Sequence, residues 1–266
     1  MSLNSRIKNY INHVVFVLDA SGSMDGLTQK VIDVFDAEIK ELADLSIKLD
    51  QETRISVYLF NAKVECIIYD KDVMRLPSIK NFYNPDGGTA LIDASYTALT
   101  ELQQTAQLHG DHAFLFYALT DGEENKSTTS KDTLKSKFDS LPDNYSFAIL
   151  VPNQRAERYA ASFGFPPNNI RTWDVGSAGL SNVGSTIRTV TNNFMNARAK
   201  GLRGSKNLFD LNVNNLNTAT VATKLTPLNS NQYRVLDVAI IEQIRPFVEN
   251  ATGKPYQVGH CYYELT

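Results

Sequence analysis

The chain has 266 residues, 42% of them apolar and 21% charged, a balance ordinary for a globular protein and a length that suits one large domain with a smaller appendage. A net charge of −3 without a dominant basic stripe excludes a reading built on nucleic acid, and the loose cluster Arg198, Lys200, Arg203 and Lys206 reads as a solvated helix end and linker. No run of about eighteen apolar residues could span a membrane, and the N-terminus leads into no secretory apolar region. Cys66 and Cys261 are far apart and outside any CxxC spacing, which points to free buried thiols and a cytoplasmic setting, in a bacterial or phage protein.

In chain order, the first strand-like run covers residues 13–18, within which Val14 to Leu18 are apolar throughout. Helical spacing follows in Val31, Phe35, Ile39, Leu42 and Leu45. Runs at 54–61 and 64–69 are separated by a link short enough for an antiparallel hairpin. Leu91, Ala94, Ala98, Leu102 and Ala106 predict a second helix, and residues 112–119 a strand that is again apolar throughout. Strands at 145–151 and 170–173 alternate with helices at 131–138, 154–163 and 182–199. Continuous apolar runs mark central strands covered on both faces. The prediction is a doubly wound α/β domain over residues 10–200, with a mostly parallel sheet, one antiparallel edge strand and helices on both faces.

After residue 200 the texture changes. Residues 201–232 read as a polar, Asn-rich connector, with Asn212, Asn214, Asn215 and Asn217 in one stretch. Residues 233–266 read as a small partial α+β extension: a strand at 233–238, a helix at 240–249 interrupted by Pro246, and a strand at 260–265. Two isolated strands rarely make a stable unit, so truncation of a longer element is the expectation.

The chemistry lies in three separated segments. Asp19-Ala20-Ser21-Gly22-Ser23 directly follows the first strand, Gly87-Gly88-Thr89 precedes the second helix, and Thr120-Asp121-Gly122 follows the fourth strand. In a doubly wound sheet all three loops can meet on one sheet edge. Carboxylate and hydroxyl oxygens from Asp19, Ser21, Ser23, Thr89 and Asp121 suit a hard divalent cation such as Mg²⁺ or Mn²⁺. Taken singly, Ser21, Ser23 and Thr89 read as helix caps or turn residues; together the five read as one site. Asp25, Asp86, Glu123 and Glu124 read as solvated loop charges.

This five-part pattern resembles the metal-ion-dependent adhesion site of von Willebrand factor A (VWA) domains, over roughly residues 12–200. The resemblance implies a Rossmann-like VWA fold. It also implies that Ser21 and Ser23 bind the ion directly, that Thr89 binds directly or through water, and that Asp19 and Asp121 act largely through water. The implied function is a protein-binding module in which the ion captures an Asp or Glu carboxylate of a partner protein.

Two other readings compete: a metal-dependent phosphatase-like hydrolase using Asp19, and a scaffold whose metal only orders loops. Hydrolysis calls for a base near the metal or a second ion. His13 and His112 open their strands, so they belong to the opposite sheet edge, and in a sheet with neighbouring first and fourth strands they can approach each other. The chain lacks GxSxG, HExxH and phosphate-loop patterns, so no enzyme is expected.

Overall fold

The computed structural model describes residues 9–216, apart from Leu108. The expectations for 217–232, for the extension at 233–266 and for Cys261 lie outside the described residues. Six strands form one sheet: β1 (Tyr10–Asp19), β2 (Glu52–Phe60), β3 (Val64–Asp72), β4 (Asp111–Leu119), β5 (Tyr145–Val151) and β6 (Ile170–Thr172). Their order is β3-β2-β1-β4-β5-β6, and only the β2–β3 pair is antiparallel. The helices are α1 (Thr28–Leu49), α2 (Leu91–Leu102), α3 (Lys131–Asp139), α4 (Gln154–Ser162) and α5 (Ser177–Ala199).

Period-two alternation along β1 sorts the layers. Val14, Phe16 and Leu18 pack with Val31, Phe35 and Leu42 of α1 and with Leu180, Val183 and Phe194 of α5. Val15 and Val17 face the other way, onto Leu91 and Leu99 of α2, Leu134 of α3 and Ala160 of α4. The strands predicted as central, β1 and β4, are buried along almost their whole length. β1 and β4 are neighbours, and the order reverses between them, so the loops leaving their carboxyl ends diverge and open a crevice there.

Several expectations need correction. The second helix ends at Leu102, because Gln104 N–H and Thr105 N–H close tight turns onto Glu101 and Leu102 rather than carrying the helix to Ala106. α5 begins at Ser177, five residues before the predicted start; its first turn needs Gly179, where a Cβ would stand 1.7 Å from the Asp174 carbonyl oxygen. Cys66 makes no disulfide among the described residues, but it is exposed rather than buried, because β3 is an edge strand. Arg198 is not solvated. Its guanidinium is fully buried, with Nε donating to Asn12 Oδ1 at 3.2 Å and Nη1 lying 3.1 Å from Asp111 Oδ1.

The segment after residue 200, expected as a free connector, packs back on the domain over its described part. Ser205 N–H donates to Ser146 Oγ at 2.8 Å, Leu208 N–H donates to Asn169 Oδ1 at 2.6 Å, and Leu208 is buried among the residues beneath α5. Among the described residues no helix is long and apolar enough to cross a membrane.

Candidate metal centre

The last residue of β1, Asp19, is fully buried and both its carboxylate oxygens are engaged. Oδ1 accepts from Ser21 N–H at 2.7 Å, and Oδ2 accepts from the Thr120 hydroxyl at 2.5 Å. The Asp19 carbonyl accepts from the buried Tyr83 hydroxyl at 2.6 Å. The first and third loops are thus joined through one carboxylate. Ser21 occupies the N-cap position of the short 3₁₀ helix Gly22–Leu27, but its side chain makes no capping bond. Its hydroxyl lies instead 3.1 Å from Ser23 Oγ, which donates to Asp121 Oδ1 at 2.7 Å.

Thr89 is buried two residues before α2 and is not its cap. A Cβ at Gly122 would stand 3.2 Å from Thr89 Oγ1 and 3.9 Å from Ser23 Oγ, so glycine there lets the two hydroxyls approach the third loop. Main-chain bonds fix the three loops to one another. Gly22 N–H donates to Gly87 O at 3.0 Å, Asp86 N–H to Ala20 O at 2.9 Å, and Asn125 N–H to Thr89 O at 3.0 Å. All five residues singled out from the sequence therefore meet beyond the carboxyl end of the sheet.

The electrostatics are one-sided. Neither Asp19 nor Asp121 makes an ion pair among the described residues. Burial pushes the Asp19 carboxyl up to about 6; hydrogen bonds from Ser21 and Thr120 oppose the rise, and the Asp121 charge adds to it. A site of this kind favours the arrival of positive charge. Two carboxylates and three hydroxyls are hard oxygen donors, a set that suits a divalent cation. Among the described residues no three His, Cys, Asp or Glu side chains form a metal cluster, so a cation at these loops would depend on the hydroxyls as well as the two carboxylates.

The surrounding acids divide into two kinds. Glu124, expected as a solvated charge, is a local organiser. Its Oε2 accepts from Ile92 N–H at 2.9 Å in the first turn of α2, and its Oε1 accepts from Lys126 and Ser127 N–H at 2.9 and 2.7 Å. Sequence reasoning missed it because Ile92, the partner that ties it to α2, lies 32 residues away and offers only a main-chain N–H. Glu123 is exposed and lies 3.3 Å from Arg155 of α4. Asp25 and Asp86 are exposed as expected.

His13 and His112 lie at the amino end of the sheet, away from these loops, and are bonded to each other at 3.0 Å. A large cleft of about 690 Å³ runs along β6 and α5, beside Trp173 and Phe209.

No family model matches the sequence, and no curated protein matches it. Among solved structures, the chain is similar to the pilus adhesin SpaC from Lactobacillus rhamnosus GG in its open conformation, with a TM-score of 0.55 and 10% identity over 72% of this chain and 31% of that one. It is similar also to the PilB minor pilin from Streptococcus sanguinis, with a TM-score of 0.52 and 13% identity over 71% and 63%. A von Willebrand factor type A structure from Catenulispora acidiphila matches with a TM-score of 0.47 and 16% identity over 70% and 43%. In each case the match covers less than two thirds of the other chain. At these identities the likeness speaks to fold alone. The doubly wound α/β fold expected from the sequence, with one antiparallel edge strand, is the fold observed.

Proposed function

We propose that the three loops bind a divalent cation, Mg²⁺ or Mn²⁺, and through it a carboxylate of a partner protein. The observation that carries this reading is the meeting of Asp19, Ser21, Ser23, Thr89 and Asp121 with no ion pair to either carboxylate among the described residues. Ser21 and Ser23 would hold the ion directly, Thr89 directly or through water, and Asp19 and Asp121 largely through water. When bound, such an ion supplies an electrophilic position that a carboxylate can take in place of water. The protein's part is to hold the hydroxyls in place, through Tyr83, Thr120 and the inter-loop bonds, and to keep the two carboxylates near.

The same geometry weighs against the competing readings. A nucleophilic Asp19 needs a free oxygen within reach of substrate, whereas this carboxylate is buried and bonded at both oxygens. A scaffold ion needs loops that depend on it, whereas these loops are bonded to one another through their main chains.

Calorimetric titration of the full chain with MgCl₂ and MnCl₂ tests the first half of the proposal. Binding is expected in the wild type and is lost in Ser21→Ala and in Thr89→Ala, both remaining folded by circular dichroism. Equal heats in all three proteins would sink the site. The second half is tested by capture from the native host with and without chelator; a partner retained in chelator argues against an ion bridge.

A further inference from the structure

At the amino end of the sheet a chain of side chains has its proton count fixed by its two ends. His13 Nδ1 lies 2.9 Å from Asp70 Oδ1, His13 Nε2 lies 3.0 Å from His112 Nδ1, and His112 Nε2 lies 3.2 Å from the His109 carbonyl oxygen. Both rings are buried. A carbonyl oxygen only accepts, and so does an ionised carboxylate. Burial works to raise the Asp70 carboxyl, but His13 and Arg54 outweigh it and hold the group below its ordinary value, hence ionised. The three contacts therefore need three ring N–H groups: one toward Asp70, one between the rings, one toward His109. Two neutral imidazoles supply only two.

We infer that His13 and His112 together hold one proton more than two neutral rings, and that this proton makes the pair a pH-sensitive clasp on the end of β3. The surplus proton belongs to His13, which faces the carboxylate, and His112 is the neutral Nε2–H tautomer. Burial, and then the charge on His13, hold His112 below the ordinary histidine value, in keeping with that division.

The charges around the pair agree. β2 contributes Arg54, 2.9 Å from Asp70 Oδ2, and Glu52, 3.0 Å from Arg54. β4 contributes Asp111 and α5 contributes Arg198, 3.1 Å apart. Arg203, 3.8 Å from Asp111, is shared with Asp143. On the α2 side, Glu101 accepts from the Tyr58 hydroxyl, and the uncharged Phe114 stacks on His13. With Arg203 set against Asp143, the acids Asp70, Glu52, Asp111 and Glu101 outnumber Arg54 and Arg198, so the surroundings are net negative and favour an imidazolium at His13.

What the clasp holds is an irregular point of an edge strand. Asp70 has φ 46°, in the left-handed region, beside a break in the β2–β3 register between Ile55 and Val57. Its N–H donates to Ser56 Oγ and its carbonyl accepts from Arg54. Loss of the surplus proton leaves two ring N–H groups for three contacts and removes the positive charge that faces Asp70, which weakens the clasp.

The sign of the pH effect follows from the count. Well below the ordinary histidine value of about 6.5, the unfolded pair binds two protons and the folded pair one, so stability rises with pH. Above it the unfolded pair binds none and the folded pair one, so stability falls as pH rises, until the folded pair loses its proton. The contribution of the clasp therefore peaks near pH ~6.5, and the folding constant changes by up to about tenfold per pH unit on either side.

Ring-nitrogen NMR on the full chain at pH 7.5 tests the count: His13 is expected protonated at both nitrogens, His112 at Nε2 alone. Two neutral rings would overturn the inference. Asp70→Asn supplies an amide that can donate to a neutral His13 and tolerates the left-handed backbone. In that variant the surplus proton is expected to disappear, and the alkaline loss of stability to flatten by up to about tenfold per pH unit relative to wild type. Amide exchange at Asp70 should accelerate with rising pH, beyond the intrinsic increase, in the wild type only. The same proton uptake on folding in both proteins would also overturn it.

Discussion

The two ends of the sheet handle charge in opposite ways. At the amino end, Asp70, Glu52 and Asp111 each meet a cation at 3.1 Å or less, and the buried Arg198 adds Asn12 and the Leu202 carbonyl as partners. At the carboxyl end, Asp19 and Asp121 meet hydroxyls and main-chain N–H groups but no cation among the described residues. Buried charge that is fully paired within the chain is structural; buried charge left without a counter-ion is an opening for one from outside. The same residue type, aspartate, thus means different things at the two ends.

Three experiments press on that contrast. The largest effect is expected for Arg198→Ala, which strands Asn12 and Asp111: about 3–5 kcal/mol of lost stability by urea unfolding. If truncation there costs less than 1 kcal/mol, on the order of a surface pair, the amino end is not a saturated network. Asp19→Asn is expected to have the opposite sign, because it removes a buried charge that has no cation. In chelator at pH 7 it should stabilise by about 1–2 kcal/mol while abolishing Mg²⁺ binding. Destabilisation in chelator would mean that the charge is already compensated.

Glu38 of α1, at neither end, gives a third and smaller test. It is buried, with its Oε2 3.7 Å from Arg188 Nε and without a hydrogen-bond partner among the described residues. Burial pushes its carboxyl up to about 7, against the pull of Arg188. A folded value above the unfolded one means stability is full below about 4.5 and is lost as pH rises through about 7. Glu38→Gln should remove about 1–2 kcal/mol of that loss, measured as the difference in unfolding free energy between pH 5 and pH 8.

The sequence reveals one end of this contrast better than the other. Asp19, Ser21, Ser23, Thr89 and Asp121 stand out because each sits beside a strand or helix start whose apolar pattern is strong, and the doubly wound topology then brings the loops together. The strands predicted at 13–18 and 112–119 are buried as their unbroken apolar runs require. The amino end is harder to read. Arg198 sits among Lys200, Arg203 and Lys206 and looks like any solvated helix end; its partners Asn12 and Asp111 are 186 and 87 residues away. Asp70 looks like a strand terminus, and nothing local marks it as the partner of His13. Glu124 is hidden for the same reason, since it caps α2 from a different loop. The return of residues 205–208 onto the domain is equally silent, because its bonds to Ser146 and Asn169 reach back 59 and 39 residues, beyond what any local pattern marks.

Trp173, the only tryptophan in the chain, is buried just past β6, and its indole N–H donates to the Thr120 carbonyl at 2.9 Å. Thr120 also grips Asp19 through its hydroxyl and immediately precedes Asp121. The protein therefore has a built-in optical probe bonded to the residue that precedes Asp121. Its fluorescence should report the docking of β6 during refolding, and separately any shift of the Asp121 loop when MgCl₂ is added, without a label or a known partner.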